Sequence, residues 1–399
     1  MKILVINSGS SSIKYQLFNM ETKEVLCSGI VERIGETTGK ITYKKFPGSE
    51  NEKKITLEMP FPSHKEGMLK VAEMLTDKED GVISDVSEIQ GVGHRIVHGG
   101  SYTNPVIVDD KVIEELKKVI PLAPLHNPGH LVGIEVARQL FPHATHVTVF
   151  DTAFHMTMEP KAYMYPLPYE YYTQMQVRRY GFHGTSHKYV SHYASRLLEK
   201  PYEQCNIITI HLGNGSSMDA VKNGRCIDTS MGLAPLEGLM MGTRCGSIDP
   251  AIIGYVMRQT GISIDEMDKV MTKKSGFLGI CGYTDMRDVH AQVAAGNDRA
   301  KLALDMLCHR IKKQIGAYMA EMGSVDALVF TAGIGENDEI VRRQSLRGLE
   351  NFGIELDEAK NDERVKEWAL ISKPTSKIKV FVIRTNEELE IAQETEKFL

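Results

Sequence analysis

Three segments of this sequence have residue types suited to holding a polyanion. In each, a short apolar run of strand character is followed at once by glycine and small polar residues. The first is Ile3-Leu4-Val5-Ile6, then Asn7-Ser8-Gly9-Ser10-Ser11-Ser12. The second is Ile207-Ile208-Thr209-Ile210, then His211-Leu212-Gly213-Asn214-Gly215-Ser216-Ser217. The third is Ala327-Leu328-Val329-Phe330, then Thr331-Ala332-Gly333-Ile334-Gly335-Glu336-Asn337. Glycine lets backbone N–H groups approach a ligand closely, and successive N–H groups form an anion nest. Serine hydroxyls add donors. One such loop is equally well a plain turn, but three at strand ends point to a polyphosphate.

The commoner nucleotide and hydrolase patterns are missing. There is no G-x-x-x-x-G-K-[ST] loop and no G-x-S-x-G elbow. Gly333-Ile334-Gly335 opens like a dinucleotide fingerprint, but Asp338 stands at the third glycine, which speaks against NAD. His183 and His187 have the i, i+4 spacing of a zinc pair without the acidic residue of H-E-x-x-H. They read as a hydrogen-bonding histidine and a helix-surface histidine.

The elements that must position these loops alternate between strand-like and helix-like segments, which favours an α/β architecture. Ile41–Phe46 and Lys54–Met59 around Pro47-Gly48-Ser49 read as a hairpin. Ser63 and Glu66 form a capping box before Met68, Leu69, Ala72 and Leu75 at helical spacing. A long helix is expected over about Asp298–Met322, with Gly323 as its stop. The 399 residues are 42% hydrophobic and 25% charged, with a net charge of -5. That composition suits a globular enzyme of two or more domains and gives no reason to expect nucleic-acid or membrane partners. The apolar start Ile3–Ile6 is too short for a signal peptide, and the six cysteines form no C-x-x-C, so a cytoplasmic protein without structural zinc is expected.

Four longer motifs then carry a family resemblance. They are Asn7–Lys14, Asp151-Thr152-Ala153-Phe154-His155, Tyr180–His187 and Met241–Pro250, with Thr385-Asn386-Glu387-Glu388 near the C-terminus. In this order they resemble the acetate and propionate kinase family along essentially the whole chain. The resemblance implies the two-domain fold of actin, sugar kinases and heat-shock chaperones, a ribonuclease H-like α/β fold. Two mixed five-stranded sheets flanked by helices are expected, with the nucleotide in the cleft. The expected division is 1–151 plus 387–399 for the first domain and 152–386 for the second, nucleotide-binding one. A homodimer is also implied. Thr385 and Glu388 suggest a capping box at the start of a returning helix.

The resemblance also implies roles. Catalysis falls to Arg95, Asp151, His183 and Arg244, with His126 in support. Arg95 doubles as a substrate ligand, and Val97, Leu125, Phe182 and Pro235 would line the acyl pocket. Lys14, the loop His211, Leu212, Gly213, Asn214 and Gly215, the segment Asp285, Met286 and Arg287, and the loop Gly333, Ile334, Gly335, Glu336 and Asn337 would contact ATP or ADP. Asn7 and Glu387 would hold Mg²⁺ or Mn²⁺. The expected reaction is reversible transfer of the ATP γ-phosphoryl group to acetate, with propionate as the nearest alternative. An ATPase of the same fold that forms no acyl phosphate is the rival from another class. A carboxylic acid is already ionised at neutral pH, so its oxygen needs no general base. Asp151 is therefore expected to orient an arginine or a metal-bound water.

Overall fold

The valine- and isoleucine-rich runs become the central strands of two sheets, each buried on both faces as parallel strands require. The computed structural model describes Met1–Leu399. The chain divides into two units, Met1–Met156 with Asn386–Leu399, and Thr157–Thr385.

In the first unit the strands are β1 (Lys2–Ser8), β2 (Ser12–Asn19), β3 (Glu24–Glu32), β4 (Gly39–Lys45), β5 (Lys53–Met59), β6 (Gly91–Ile96), β7 (Val106–Ile107) and β8 (Thr145–Phe150). Their order in the sheet is β5-β4-β3-β2-β1-β6-β8-β7. Strands β1 to β5 run antiparallel in sequence, while β1, β6 and β8 are parallel neighbours. Side chains alternate across β1 as its two-residue period demands. Leu4 and Ile6 join a core with Met68, Val71 and Ala137, whereas Ile3 and Val5 pack with Ile391 and Ala392. The expected hairpin is β4–β5, and the helix capped by Ser63 runs over His64–Leu75.

Two close approaches fix this unit. A Cβ on Gly93 of β6 would lie 2.5 Å from Thr395 and 2.7 Å from Ile391, so the helix Glu387–Glu396 sits directly on the sheet. In the helix Asn127–Leu140, Gly129 and Gly133 lie one turn apart. A Cβ on Gly129 would meet the Gly9 and Ser10 backbone at 2.6–2.8 Å, and one on Gly133 would meet the Ser8 Cβ at 2.4 Å. The first small-residue loop is thus clasped against a helix.

The second unit contains β9 (Asn206–Leu212), β10 (Ser216–Lys222), β11 (Arg225–Thr229), β12 (Ala327–Thr331), β13 (Trp368–Leu370) and β14 (Lys379–Ile383), in the order β11-β10-β9-β12-β14-β13. Its β11-β10-β9-β12-β14 core repeats the plan of β3-β2-β1-β6-β8: three antiparallel strands, then two parallel ones. These are the two mixed five-stranded sheets expected, extended to eight strands in one unit and six in the other. The long helix runs over Asp298–Met322, buries Ala303, Leu307, Ile311 and Ile315, and ends at Gly323 with φ +78°.

Two local expectations are corrected. The three small-residue loops are not alike. Gly9–Ser11 and Gly213–Gly215 are turns of antiparallel hairpins, whereas Thr331 leads straight into a short helix, Ala332–Asn337. The returning helix is capped by Asn386, whose side chain accepts from Leu389 N, and not by Thr385. Thr385 Oγ1 instead bonds Ser186 Oγ at 2.9 Å. All six cysteines are free, and no helix is long and apolar enough to cross a membrane.

The glycine clasp is testable. Gly129→Ala should destabilise the protein by about 1–3 kcal/mol, because the added methyl meets backbone that cannot rotate away. Gly316, exposed in the long helix with nothing within 4 Å of its Cβ position, is the control. Gly316→Ala should stabilise by about 0.5–1 kcal/mol. Urea unfolding of both variants checks this, and equal midpoints would remove the clasp.

Candidate active site

Parallel pairing of β6 with β8 sets Arg95 beside Val149 and Ile96 beside Phe150, so the residue after β8 lies next to Arg95. That residue is Asp151. Arg95 Nε donates to Asp151 Oδ1 at 3.1 Å and Nη2 to Oδ2 at 2.8 Å, a two-bond fork. Asp151 is buried at 2% exposure while the Arg95 side chain keeps 24%. The Asp151 carboxylate, followed by Glu387 and Glu388, holds the guanidinium pKa well above its ordinary value. Both Asp151 oxygens are engaged, which suits a positioning carboxylate.

Glu387, in the first turn of the returning helix, is pushed up to about 7. Burial is the main cause; Arg95 opposes it, and Asp151 and Glu388 add to it. Its Oε1 is buried and without a hydrogen-bond partner. Asn7, near the end of β1, has a carboxamide that bonds no other residue, and it pairs across the hairpin with exposed Lys14. Asn7, Lys14 and Glu388 line a cavity of about 270 Å³ in this unit. Glu387 and Asn7 offer only hard oxygen donors, one of them a buried orphan, so the residues fit a hard divalent cation.

A histidine that sequence reasoning missed lies near this group. His130 Nδ1 is 2.6 Å from Ser8 O; a carbonyl only accepts, so Nδ1 carries the proton. Burial pushes His130 down to about 4, and its Nε2 is buried without a partner. The available signal was spacing: His126 and His130 are one helical turn apart, their rings 6.4 Å from centre to centre. His126 itself is exposed at the helix start. Val97 follows β6 and is half-buried like Arg95, with His94, Ile96 and His98 buried between and beside them. Leu125 is 70% exposed. The other two expected pocket residues, Phe182 and Pro235, belong to the second unit, the first buried and the second half-buried.

In the second unit β9 and β12 are parallel neighbours, with Thr331 paired to His211, so the second and third loops meet. A cavity of about 720 Å³ opens beside them, a size suited to a nucleotide. Of the residues that the resemblance assigns to ATP, Gly213, Asn214, Asp285, Met286, Arg287, Gly333, Ile334 and Asn337 line it. Its apolar wall comes from Met241, at the start of a quoted motif, and from residues the motifs did not flag: Met240, Phe277, Leu307 and Ile340. Asp285 caps the helix Met286–Ala294 and is forked by Arg287, which together hold it down to about 2.

Several expected nucleotide contacts do not line this cavity. Lys14 is in the first unit. Leu212 is fully buried in the core. Gly335 is likewise absent from the wall, its carbonyl accepting from the buried Arg342. The Glu336 carboxylate accepts from Ala332 N at 2.9 Å and Thr385 N at 3.0 Å and pairs with Arg384, so it is a strut. His211 stacks on His183 with centroids 4.1 Å apart, and Ser186 Oγ bonds its Nδ1. Gly215 belongs with the His183 group.

His183 sits in the left-handed region (φ +59°) at the N-cap of the helix Gly184–Leu197. Its Nδ1 is 2.8 Å from Ser217 Oγ. Its Nε2 lies 3.1 Å from the point where a Gly215 Cβ would stand, and Arg244 Nη2 lies 3.3 Å from the same point. Two nitrogen groups therefore flank the space over Gly215. Arg244 is half-buried and has no ion-pair partner; Nη1 donates to Pro235 O at 2.6 Å, and burial lowers its pKa. His187, expected on a helix surface, is fully buried, with Nε2 2.7 Å from Ser217 Oγ and Nδ1 2.6 Å from Thr209 Oγ1.

Glu387 gives a pH prediction. Its folded value of about 7 exceeds the ordinary 4.5, so its contribution to stability is full below the ordinary value and is lost as pH rises through 7. Carboxyl NMR of cation-free protein should find a midpoint near 7 that falls when a divalent cation is added. Glu387→Gln should remove this part of the stability decline. A cation-free midpoint at the ordinary value would contradict the burial account.

Three comparisons bear on identity. The sequence model of the Acetokinase family matches residues 2–393. The chain is 57% identical over 400 residues to an acetate kinase of Maridesulfovibrio salexigens, covering 100% of both. It matches the crystal structure of Porphyromonas gingivalis acetate kinase with a TM-score of 0.95 at 43% identity, and that of a propionate kinase from Francisella tularensis with 0.91 at 42%, each covering 99% of both chains. With a repeated plan of two five-stranded sheet cores and a nucleotide-sized cavity beside the glycine loops, this chain belongs to the acetokinase family.

Proposed function

We propose that the protein transfers the γ-phosphoryl group of ATP to acetate, reversibly, giving acetyl phosphate and ADP. It is a kinase with a carboxyl acceptor. The observation that carries the residue-level reading is the flanking of one space over Gly215 by His183 Nε2 and by Arg244, a half-buried cation with no acidic partner. A cation held this way by a backbone carbonyl keeps its charge available for an incoming anion. The transferring phosphoryl group carries its charge on equatorial oxygens, and preorganised donors stabilise it.

The other residues follow in role. Asp151 occupies the Nε–Nη2 edge of Arg95, leaving Nη1 for the substrate anion. Asp151 acts by orientation; acetate is already ionised and gives up no proton. The apolar wall of the large cavity suits an adenine ring, while Asn214, Asp285 and Asn337 suit the polar parts of the nucleoside. Asn7 and Glu387 would hold Mg²⁺, which when bound screens the repulsion between phosphates and carboxylate. Cytoplasmic location rests on the short apolar start and the scattered cysteines, and a homodimer on the family resemblance; exposed Leu167, Tyr169 and Tyr255 of the second unit would suit a subunit contact.

Hydroxylamine trapping tests this reading. With ATP, Mg²⁺ and acetate the protein should yield acetyl hydroxamate, and Arg244→Lys should lower kcat by about 100-fold or more. ATP hydrolysis without hydroxamate would favour the ATPase reading. A near-normal Arg244→Lys enzyme would remove Arg244 from the reaction.

Propionate is the second reading, supported by the likeness to the propionate kinase. Val97, two residues after Arg95, would limit the tail of a carboxylate held there. Val97→Ala should raise kcat/KM for propionate relative to acetate by about 10-fold, the scale of one methylene contact. If the mutant only loses stability and its preference is unchanged, Val97 is core packing.

A further inference from the structure

A chain of hydrogen bonds runs behind His183 within the second unit. Ser217 Oγ lies 2.8 Å from His183 Nδ1 and 2.7 Å from His187 Nε2. His187 Nε2 is also 3.5 Å from Asp219 Oδ1, which accepts from Thr229 Oγ1 at 2.6 Å. His187, Ser217 and Asp219 are all fully buried. The Ser217 hydroxyl has one proton to share between two imidazole nitrogens. If His187 Nε2 were bare, its lone pair would face a carboxylate oxygen in a water-poor site, an arrangement left without a compensating proton. With the proton on His187 Nε2, that group serves Asp219 and Ser217 together. Ser217 must then donate to His183 Nδ1. The remaining ring proton of His183 is on Nε2, the atom beside the space over Gly215.

We propose that Ser217 and His187 are positioning residues that hold His183 as the Nε2–H tautomer, so that it meets the transferring phosphoryl group as a donor. The inference rests on the reading of His183 given above. It adds that the proton's place is set by residues that touch no substrate. The direction of the chain follows from Asp219, an acceptor that cannot turn into a donor while ionised. Thr209 Oγ1, at 2.6 Å from His187 Nδ1, completes the ring's hydrogen bonding on its other side.

Long-range ¹H–¹⁵N spectra of the histidine side chains, with ATP and acetate absent, test the assignment directly. Wild-type His183 should be a single Nε2–H tautomer, with Nδ1 accepting a hydrogen bond. Ser217→Ala should shift the Nδ1 resonance toward that of an unbonded nitrogen and lower kcat by about 10-fold, the worth of one hydrogen bond, with KM for ATP unchanged. Ser217→Thr keeps the hydroxyl and should restore both the spectrum and kcat. A wild-type Nδ1–H tautomer would overturn the proposal, as would a Ser217→Ala enzyme with both spectrum and kcat unaltered. The wild-type spectrum needs no variant, so the proposal remains testable if Ser217→Ala does not fold. The reading of His183 fails separately, if His183→Ala still forms acetyl hydroxamate at the wild-type rate.

Discussion

The two-bond grip of Asp151 on Arg95 is the interaction on which the geometry of the first unit's candidate site depends. It exists because two parallel strands end side by side and place a carboxylate one residue past β8 against a guanidinium near the end of β6. An arginine held on one edge cannot swing, so its opposite edge is presented at a fixed angle. The buried Asp151 charge is matched by Arg95, and that balance leaves Glu387 as the carboxylate under strain. Glu387 feels burial and two acidic neighbours more than it feels the single guanidinium. A carboxylate in such surroundings is suited to a hard cation.

Arg244 is held by the opposite logic. A carbonyl fixes its direction but leaves its charge unmatched, and burial makes that charge costly until an anion arrives. The two arginines thus divide two tasks that a single residue performs poorly. Arg95 is rigid because it is neutralised, and Arg244 is attractive because it is not. His183 is held by a third device, a buried chain of hydroxyl and imidazole groups through Ser217 and His187.

Much of this was legible in the sequence where a local rule dominates. The Asp298–Met322 helix could be read from its apolar spacing and its glycine stop, and the β4–β5 hairpin from its turn. The family resemblance singled out Arg95, Asp151, His183 and Arg244; residue types alone would not have separated the two arginines from the others. What could not be read was long-range. Strand order alone brings Asp151 to Arg95, and Ser217 to His183 across 34 residues of chain. The apolar wall of the large cavity uses Met240, Phe277 and Leu307, which look like ordinary core residues in one dimension. His187 was misread as a surface residue because its polarity suggested exposure, whereas Ser217 and Thr209 provide its buried partners. Thr385 was misread as a cap because Asn386 beside it offers the same chemistry one residue later.

The helix Glu387–Glu396 closes the first unit from the far side of a long interruption. Its Ile391 and Thr395 fill the hollow left by Gly93, and it carries Glu387. During synthesis on the ribosome, the 229 residues of Thr157–Thr385 emerge as one continuous stretch with every strand of their sheet present. The first sheet, although made earlier, waits with one face uncovered until this last helix appears. The carboxylate suited to the metal arrives with the same helix, so maturation of the first unit and acquisition of that carboxylate are one event. An unfinished chain therefore lacks Glu387 until the helix that covers its first sheet has been made.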